Sequence, residues 1–278
     1  MTADVLPLYP NFGSLRPLRG LYLDHRLHEV GSTSEPLVYG NFVSSLDGRI
    51  ALIDPQRGES YLPKELTGGN DFRLFQELHA QADCLITHGG YLRALAQGQL
   101  GNVLQVNASG DSADLIDWRK QQGLPEQPAI VVASGSLDFP VPGAIKEHGQ
   151  PLYIATAKTA DPARVRAWQQ QGFELIVTSD NAMVKGTPLV RALSERGYKS
   201  LYLVAGPRML ETMLRDQKLS KLYLTLMHHL LGGEQFHTMI PGPPLGAAGR
   251  LKLRTLYYDP GNADQNAQWF AQFDHRRI

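Results

Sequence analysis

Two short runs in this chain place chemistry-bearing residues beside a tight turn. Ser45-Leu46-Asp47-Gly48-Arg49-Ile50 follows an extended run from Leu37 to Val43, and Ala205-Gly206-Pro207-Arg208-Met209-Leu210 follows Leu201 to Val204. Each turn stands at the end of an expected strand, where open α/β sheets bind their ligands. Glycine lets backbone approach an anion because no Cβ intervenes. Gly206, with the N–H groups of Arg208, Met209 and Leu210 opening a helix, fits an anion site at a helix N-terminus; the bland alternative is a plain helix start. Thr87-His88-Gly89-Gly90 forms a similar strand-to-helix turn, where His88 is placed to meet a phosphate. Ser134-Gly135-Ser136 also follows a strand and is either a phosphate contact or an ordinary polar turn. Asp47-Gly48 is by its own chemistry a hairpin-type turn. The set points to a nucleotide cofactor.

These turns need strands and helices to hold them. In the second half the punctuation is clear. Leu152 to Ala155 reads as a strand, and Asp161-Pro162 then gives an N-cap followed by proline at the first helical position. Val165 and Trp168 share a face of that helix, and Gly172 closes it. Phe173 to Thr178 is the next strand. Thr187-Pro188 repeats the capping device ahead of Leu189, Val190 and Leu193, and Gly197 ends the helix. Leu201 to Ala205 is a strand, Pro207 to Gln217 a helix burying Met209, Leu210, Met213 and Leu214, and Leu222 to Met227 another strand. Strands alternating with single helices mean right-handed crossovers and parallel pairing.

The first half is sparser. A helix from Asp71 to Gln81, with Phe72, Phe75 and Leu78 inward, precedes the strand Cys84 to Thr87. A short helix runs from about Tyr91 to Gln97, and Ile130 to Ala133 is a strand. Polar residues between Gly98 and Gln127 predict a longer loop or a short lid-like insertion. Gly249 to Tyr258 alternates as an antiparallel edge strand. Residues 1–35 carry turn signals and no sustained period, and read as an extension packing on the surface or on a partner.

Composition excludes several classes. Lys plus Arg and Asp plus Glu number 27 each, so no net field favours nucleic acid or an anionic membrane. No apolar run approaches the roughly 20 residues that span a bilayer. The N-terminus lacks the pattern of a signal peptide, so a cytoplasmic protein is expected. Asn107-Ala108-Ser109 matches a glycosylation sequon, which carries meaning only in a secreted chain. Cys84, the one cysteine, sits in an apolar run and reads as a buried structural thiol. The Rossmann glycine fingerprint, the Walker A loop and the nucleophile elbow are all missing. His228-His229 would face opposite sides of a strand, so no metal site is expected.

Four segments, in order and spacing, resemble the reductase domain of bacterial riboflavin biosynthesis. They are Asn41 to Ala51, Asp71 to Leu92, Leu203 to Leu210, and Leu222 to Thr225 continuing through Leu230 to Gly233. The resemblance runs from about Pro36 to the C-terminus. It implies an α/β, dihydrofolate reductase-like fold over 36–278, with a central mostly parallel sheet, helices on both faces and an antiparallel C-terminal edge strand. NADPH would be the reductant, a ribosylamino-pyrimidine the small-molecule substrate, and a homodimer the assembly.

The same resemblance assigns roles. The loop from Val43 to Ala51, with Ile50, would cover the nicotinamide. Thr87, His88, Gly89, Gly90, Ser134, Gly206, Arg208, Met209 and Leu210 would hold the rest of the cofactor. Asn41 and Ser45 would contact substrate, and Asp47 would assist protonation or serve only as a turn cap. Several positions depart from the family's usual pattern: Val204 replaces a Glu, His79 an Arg, Gly90 a Thr, Ser220 and Lys221 acidic residues, and His228 a Pro. They leave open an altered-substrate or non-catalytic relative that still binds a nucleotide cofactor. The zinc deaminase domain often fused to such reductases has no counterpart, because one cysteine cannot supply its ligands.

Overall fold

The computed structural model describes residues 3–106, 110–262 and 266–275; the sequon at 107–109 lies outside them. The chain opens with β1 (Asp4–Tyr9), β2 (Arg16–Pro17), α1 (Leu27–Val30), β3 (Leu37–Ser45), β4 (Ala51–Ile53) and β5 (Ser60–Tyr61). Next come α2 (Gly69–Ala80), β6 (Cys84–His88), α3 (Gly89–Ala96), α4 (Asp114–Gln121), β7 (Ala129–Ala133) and α5 (Gly143–Glu147). Then follow β8 (Leu152–Thr156), α6 (Pro162–Gln170), β9 (Glu174–Val177), α7 (Gly186–Glu195), β10 (Ser200–Leu203) and α8 (Pro207–Arg215). The chain closes with β11 (Lys221–Met227), β12 (Phe236–His237), β13 (Leu251–Asp259) and β14 (Gln268–His275).

The large sheet has the order β2-β1-β13-β14-β11-β3-β10-β6-β7-β8-β9, and the small one β12-β4-β5. From β11 to β9 every pairing is parallel, as single-helix crossovers require. Strand alternation splits the core between the two faces. Leu37 and Tyr39 of β3 join α2, α3 and α6 on one side, while Val38 and Phe42 join α7 and α8 on the other. Cys84 is wholly buried.

Several local expectations needed correction. The strand β13 is not at the edge, because β1 pairs antiparallel along its outer side. Residues ahead of Pro36 are built into the core: Val5, Leu21, Tyr22 and Leu27 are buried, and the Glu77 carboxylate accepts the N–H groups of Gly20 and Tyr22 at 2.7 and 2.9 Å. Phe72 points outward and stacks on Phe75, because Leu74 and Leu78 take the inward face of α2. The stretch after Gly98 is no lid: α4 lies within it, burying Leu115 and Ile116, and Arg119 donates to the carbonyls of Ala80 and Ala82 at the end of α2. Thr187 does not cap α7, which starts at Gly186. Asp216, at the end of α8, accepts the N–H groups of Gly186 and Thr187 instead. Asp161 caps α6 as expected.

Candidate active site

The ends of β6 and β10 are neighbours in the sheet, so the turns after them meet. His88 is the extended N-cap of α3, and its Nδ1 accepts the Tyr91 N–H at 3.2 Å. The neutral ring therefore carries its proton on Nε2. Burial, with Arg93 adding to it, holds the His88 pKa below the ordinary imidazole value. A Cβ on Gly206 would stand 3.7 Å from that Nε2. Gly206 is the N-cap of α8, with no side chain capping the helix. Pro207 has no N–H, and those of Met209 and Leu210 already donate to Gly206 O, so the Arg208 N–H is the donor left for a ligand.

Together these turns border a cavity of about 640 Å³ that His88, Ser134, Gly206, Arg208 and Met209 line. Ser134 Oγ is partly spent, accepting the Leu137 N–H at 3.0 Å. A Cβ on Gly89 would meet Ser134 Oγ at 3.0 Å and Phe139 at 2.9 Å, so the two turns pack backbone to side chain. A Cβ on Gly90 would lie 2.9 Å from His88 Nδ1: the His88 ring fills the room a side chain at position 90 would need. Thr87, Gly89, Gly90 and Leu210 do not line the cavity, and Thr87, Gly89 and Leu210 are buried.

The turn at Asp47 is tied down on all sides. Gly48 has φ +82°, the left-handed value its hairpin position requires. The Ser45 hydroxyl donates to Asp47, the N–H groups of Gly232 and Leu231 donate at 2.9 and 3.3 Å, and Arg49 pairs at 2.7 Å. These donors, Ser45 first, outweigh burial and pull the carboxyl down to about 2. Such a group is ionised at neutral pH and holds no proton to give. Ile50 and Ala51 reach the cavity indirectly, through β4 and the β12 residue His237 beside it. Asn41, Val43 and Ser45 lie on the α2 side of β3, opposite Tyr223, Thr225 and Met227 of β11.

Three features of the site had gone unread in the sequence. The loop Ala182–Val184 closes one wall, its Ala182 O only 2.6 Å from where Gly135 would carry a Cβ. His237 lines another wall from a two-residue strand. The third is Asp71, in the first turn of α2. Burial raises its carboxyl to about 6, against the opposing bond from Thr225. Its Oδ1 is shielded from solvent and has no partner among the described residues. Thr225 is the β11 neighbour of Val43, so Asp71 lies beside the β3–β11 pair and does not line the cavity. A polar residue at the start of an amphipathic helix was the available signal, but it reads equally as a helix-dipole partner.

Among the described residues no group of three or more His, Cys, Asp or Glu is placed to hold a metal, and no helix is long and apolar enough to cross a membrane.

The mostly parallel sheet, its two helical faces and a cavity at the strand ends define an α/β domain of the kind seen in reductases of riboflavin biosynthesis. A pyrimidine reductase-like protein from Corynebacterium diphtheriae is similar at 18% identity over 88% of this chain and 94% of that one, with a TM-score of 0.62. RibD from Acinetobacter baumannii matches at 18% identity and a TM-score of 0.61, over 88% of this chain but 59% of that one, so the chain spans about three fifths of it. The riboflavin biosynthesis reductase of Saccharomyces cerevisiae matches at 15% identity and a TM-score of 0.56, over 92% and 99% of the two chains. Identities this low speak for the fold alone. No curated protein matches the chain. The family is set by sequence: the model of the RibD C-terminal domain matches residues 36–260, and the chain belongs to that family of riboflavin-biosynthesis reductase domains.

Proposed function

We propose that this chain is an NADPH-dependent reductase acting on a ribosylamino-pyrimidine, working as a homodimer. The observation that carries the reading is the meeting of His88 and Gly206 in one cavity at the ends of adjacent parallel strands. Gly206 leaves room beside a neutral Nε2–H donor, with Arg208 lining the same cavity. That donor set suits a pyrophosphate. When bound, NADPH supplies the hydride. The protein's part is to bind and orient. His88, Ser134, Gly206 and Arg208 hold the phosphate side, with Gly89 and Gly90 letting the His88 turn pack behind it, and the Val43–Ala51 segment covers the reacting end. Asn41 and Ser45 face substrate. Asp71, whose pKa near 6 keeps part of it protonated close to neutrality, holds the mobile proton. Asp47 keeps the loop in shape.

Fluorescence titration with NADPH tests the cofactor, and absorbance loss with a ribosylamino-pyrimidine tests the reaction. Tight NADPH binding and turnover are expected; a folded protein that binds no NADPH refutes the reading.

A second reading, a relative with the same cofactor and a different substrate, draws on Val204. It packs with the apolar core on the α2 side, where the family's pattern has a carboxylate. NADPH binding with no turnover of any ribosylamino-pyrimidine would favour it.

A further inference from the structure

We propose that His237 contacts an anionic oxygen of the bound dinucleotide, and that Asp47 and Arg49 are its positioning residues. The proposal rests on the cofactor reading of the cavity. His237 lines that cavity together with His88, Gly206 and Arg208. Its ring Nε2 lies 2.7 Å from Ser60 Oγ of β5. In the tautomer that accepts the Ser60 hydroxyl at Nε2, the ring proton sits on Nδ1, which bonds no other described residue. A donor is thus left for a ligand oxygen.

The segment leading to His237 does not hold itself in place. Gly232 and Gly233 both have left-handed φ, 65° and 88°, and Phe236–His237 is too short to be stable as a strand alone. It is pinned from the turn after β3. Asp47 accepts the N–H groups of Leu231 and Gly232, and the Arg49 guanidinium lies 4.2 Å over the Phe236 ring while donating to Gly233 O at 3.4 Å. The Ile50 N–H then bonds His237 O at 2.9 Å. Asp47 and Arg49, which do not line the cavity, thereby decide where a cavity residue stands.

NADPH titrations of His237→Ala, Asp47→Asn, Arg49→Lys and the double variant Asp47→Asn/His237→Ala test this, with melting curves to confirm folding. His237→Ala should weaken NADPH by about tenfold, the worth of one hydrogen bond. Asp47→Asn and Arg49→Lys should weaken it less, and the double variant should bind no more weakly than His237→Ala alone. Unchanged affinity in His237→Ala, or losses that simply add, overturn the proposal. A readout without cofactor separates its two halves. The His237 ring resonances, assigned by their absence in His237→Ala, should shift in Asp47→Asn and in Arg49→Lys. Resonances that stay in place refute the positioning role. If they move but the wild-type chain binds no NADPH, the cofactor reading of the cavity fails, and the contact role fails with it.

Discussion

His88 Nε2 stands 3.7 Å from the point a Cβ on Gly206 would occupy, so two turns far apart in sequence form a single wall. Gly206 has φ −70° and ψ −177°, a conformation open to any residue. Gly206→Val should therefore fold, with stability changed by no more than about 0.5 kcal/mol, the usual range for a substitution outside the core. Its branched side chain would crowd His88 and close the approach to the Arg208 N–H. NADPH affinity should fall at least about tenfold, read by titration beside a melting curve, whereas Gly206→Ala should keep most of it.

The pairing of His88 with Gly90 gives a second expectation. A side chain at position 90 meets His88 Nδ1 at 2.9 Å and would push the ring off the Tyr91 N–H that it caps. Gly90→Thr should cost about 1–2 kcal/mol, the value of a lost helix cap. In a His88→Ala background the same change should cost clearly less, because the ring is gone. Chemical denaturation of the four proteins in the cycle measures the difference; simple additivity would mean the two residues do not compete for space.

For Asp71 the prediction concerns pH. Its folded pKa of about 6 lies above the unfolded carboxylate value, so the folded state binds the extra proton. The associated stability is complete below about pH 4 and is lost as pH rises through about 6. Asp71→Asn should abolish that slope and raise the melting temperature at pH 8, while turnover drops. Retention of full turnover would remove Asp71 from the mechanism.

Asp47 titrates with the opposite sign. Its carboxyl is pulled down to about 2, so its contribution is present above about pH 4 and disappears as pH falls towards 2. Asp47→Asn should flatten acid unfolding over that window, as followed by circular dichroism.

Glu77 anchors the chain ahead of β3. Its buried carboxylate accepts from Gly20, Tyr22 and Arg73 Nε, the last at 3.0 Å. Glu77→Gln keeps the shape but offers one acceptor oxygen, leaving a backbone N–H unsatisfied at a cost of about 1–3 kcal/mol. Faster proteolysis before Pro36, ahead of any global unfolding, is the expected signature.

Much of this molecule could be read along the chain. The β–α alternation, the Asp161 cap, and the left-handed glycines at 48, 172 and 197 follow from period and from local backbone preference. So do His88, Ser134, Gly206, Arg208 and Met209, since the end of a parallel strand is a position the sequence marks. What stayed hidden depends on residues distant in the chain. Asp216 caps α7 only because α8 packs beside it, and Phe72 faces outward only because Leu74 and Leu78 won the core. The strand β1 adds to β13 through backbone bonds that have no sequence signature. His237 enters the cavity the same way, from a two-residue strand, and Asp71 meets Thr225 of β11 far along the chain. Local sequence thus determined the elements and the turns that end them, because backbone sterics and hydrophobic period act within a few residues. Which side chains face one another, and so which carboxyl is pulled down by donors and which is raised by burial, was decided only when the sheet brought distant strands together.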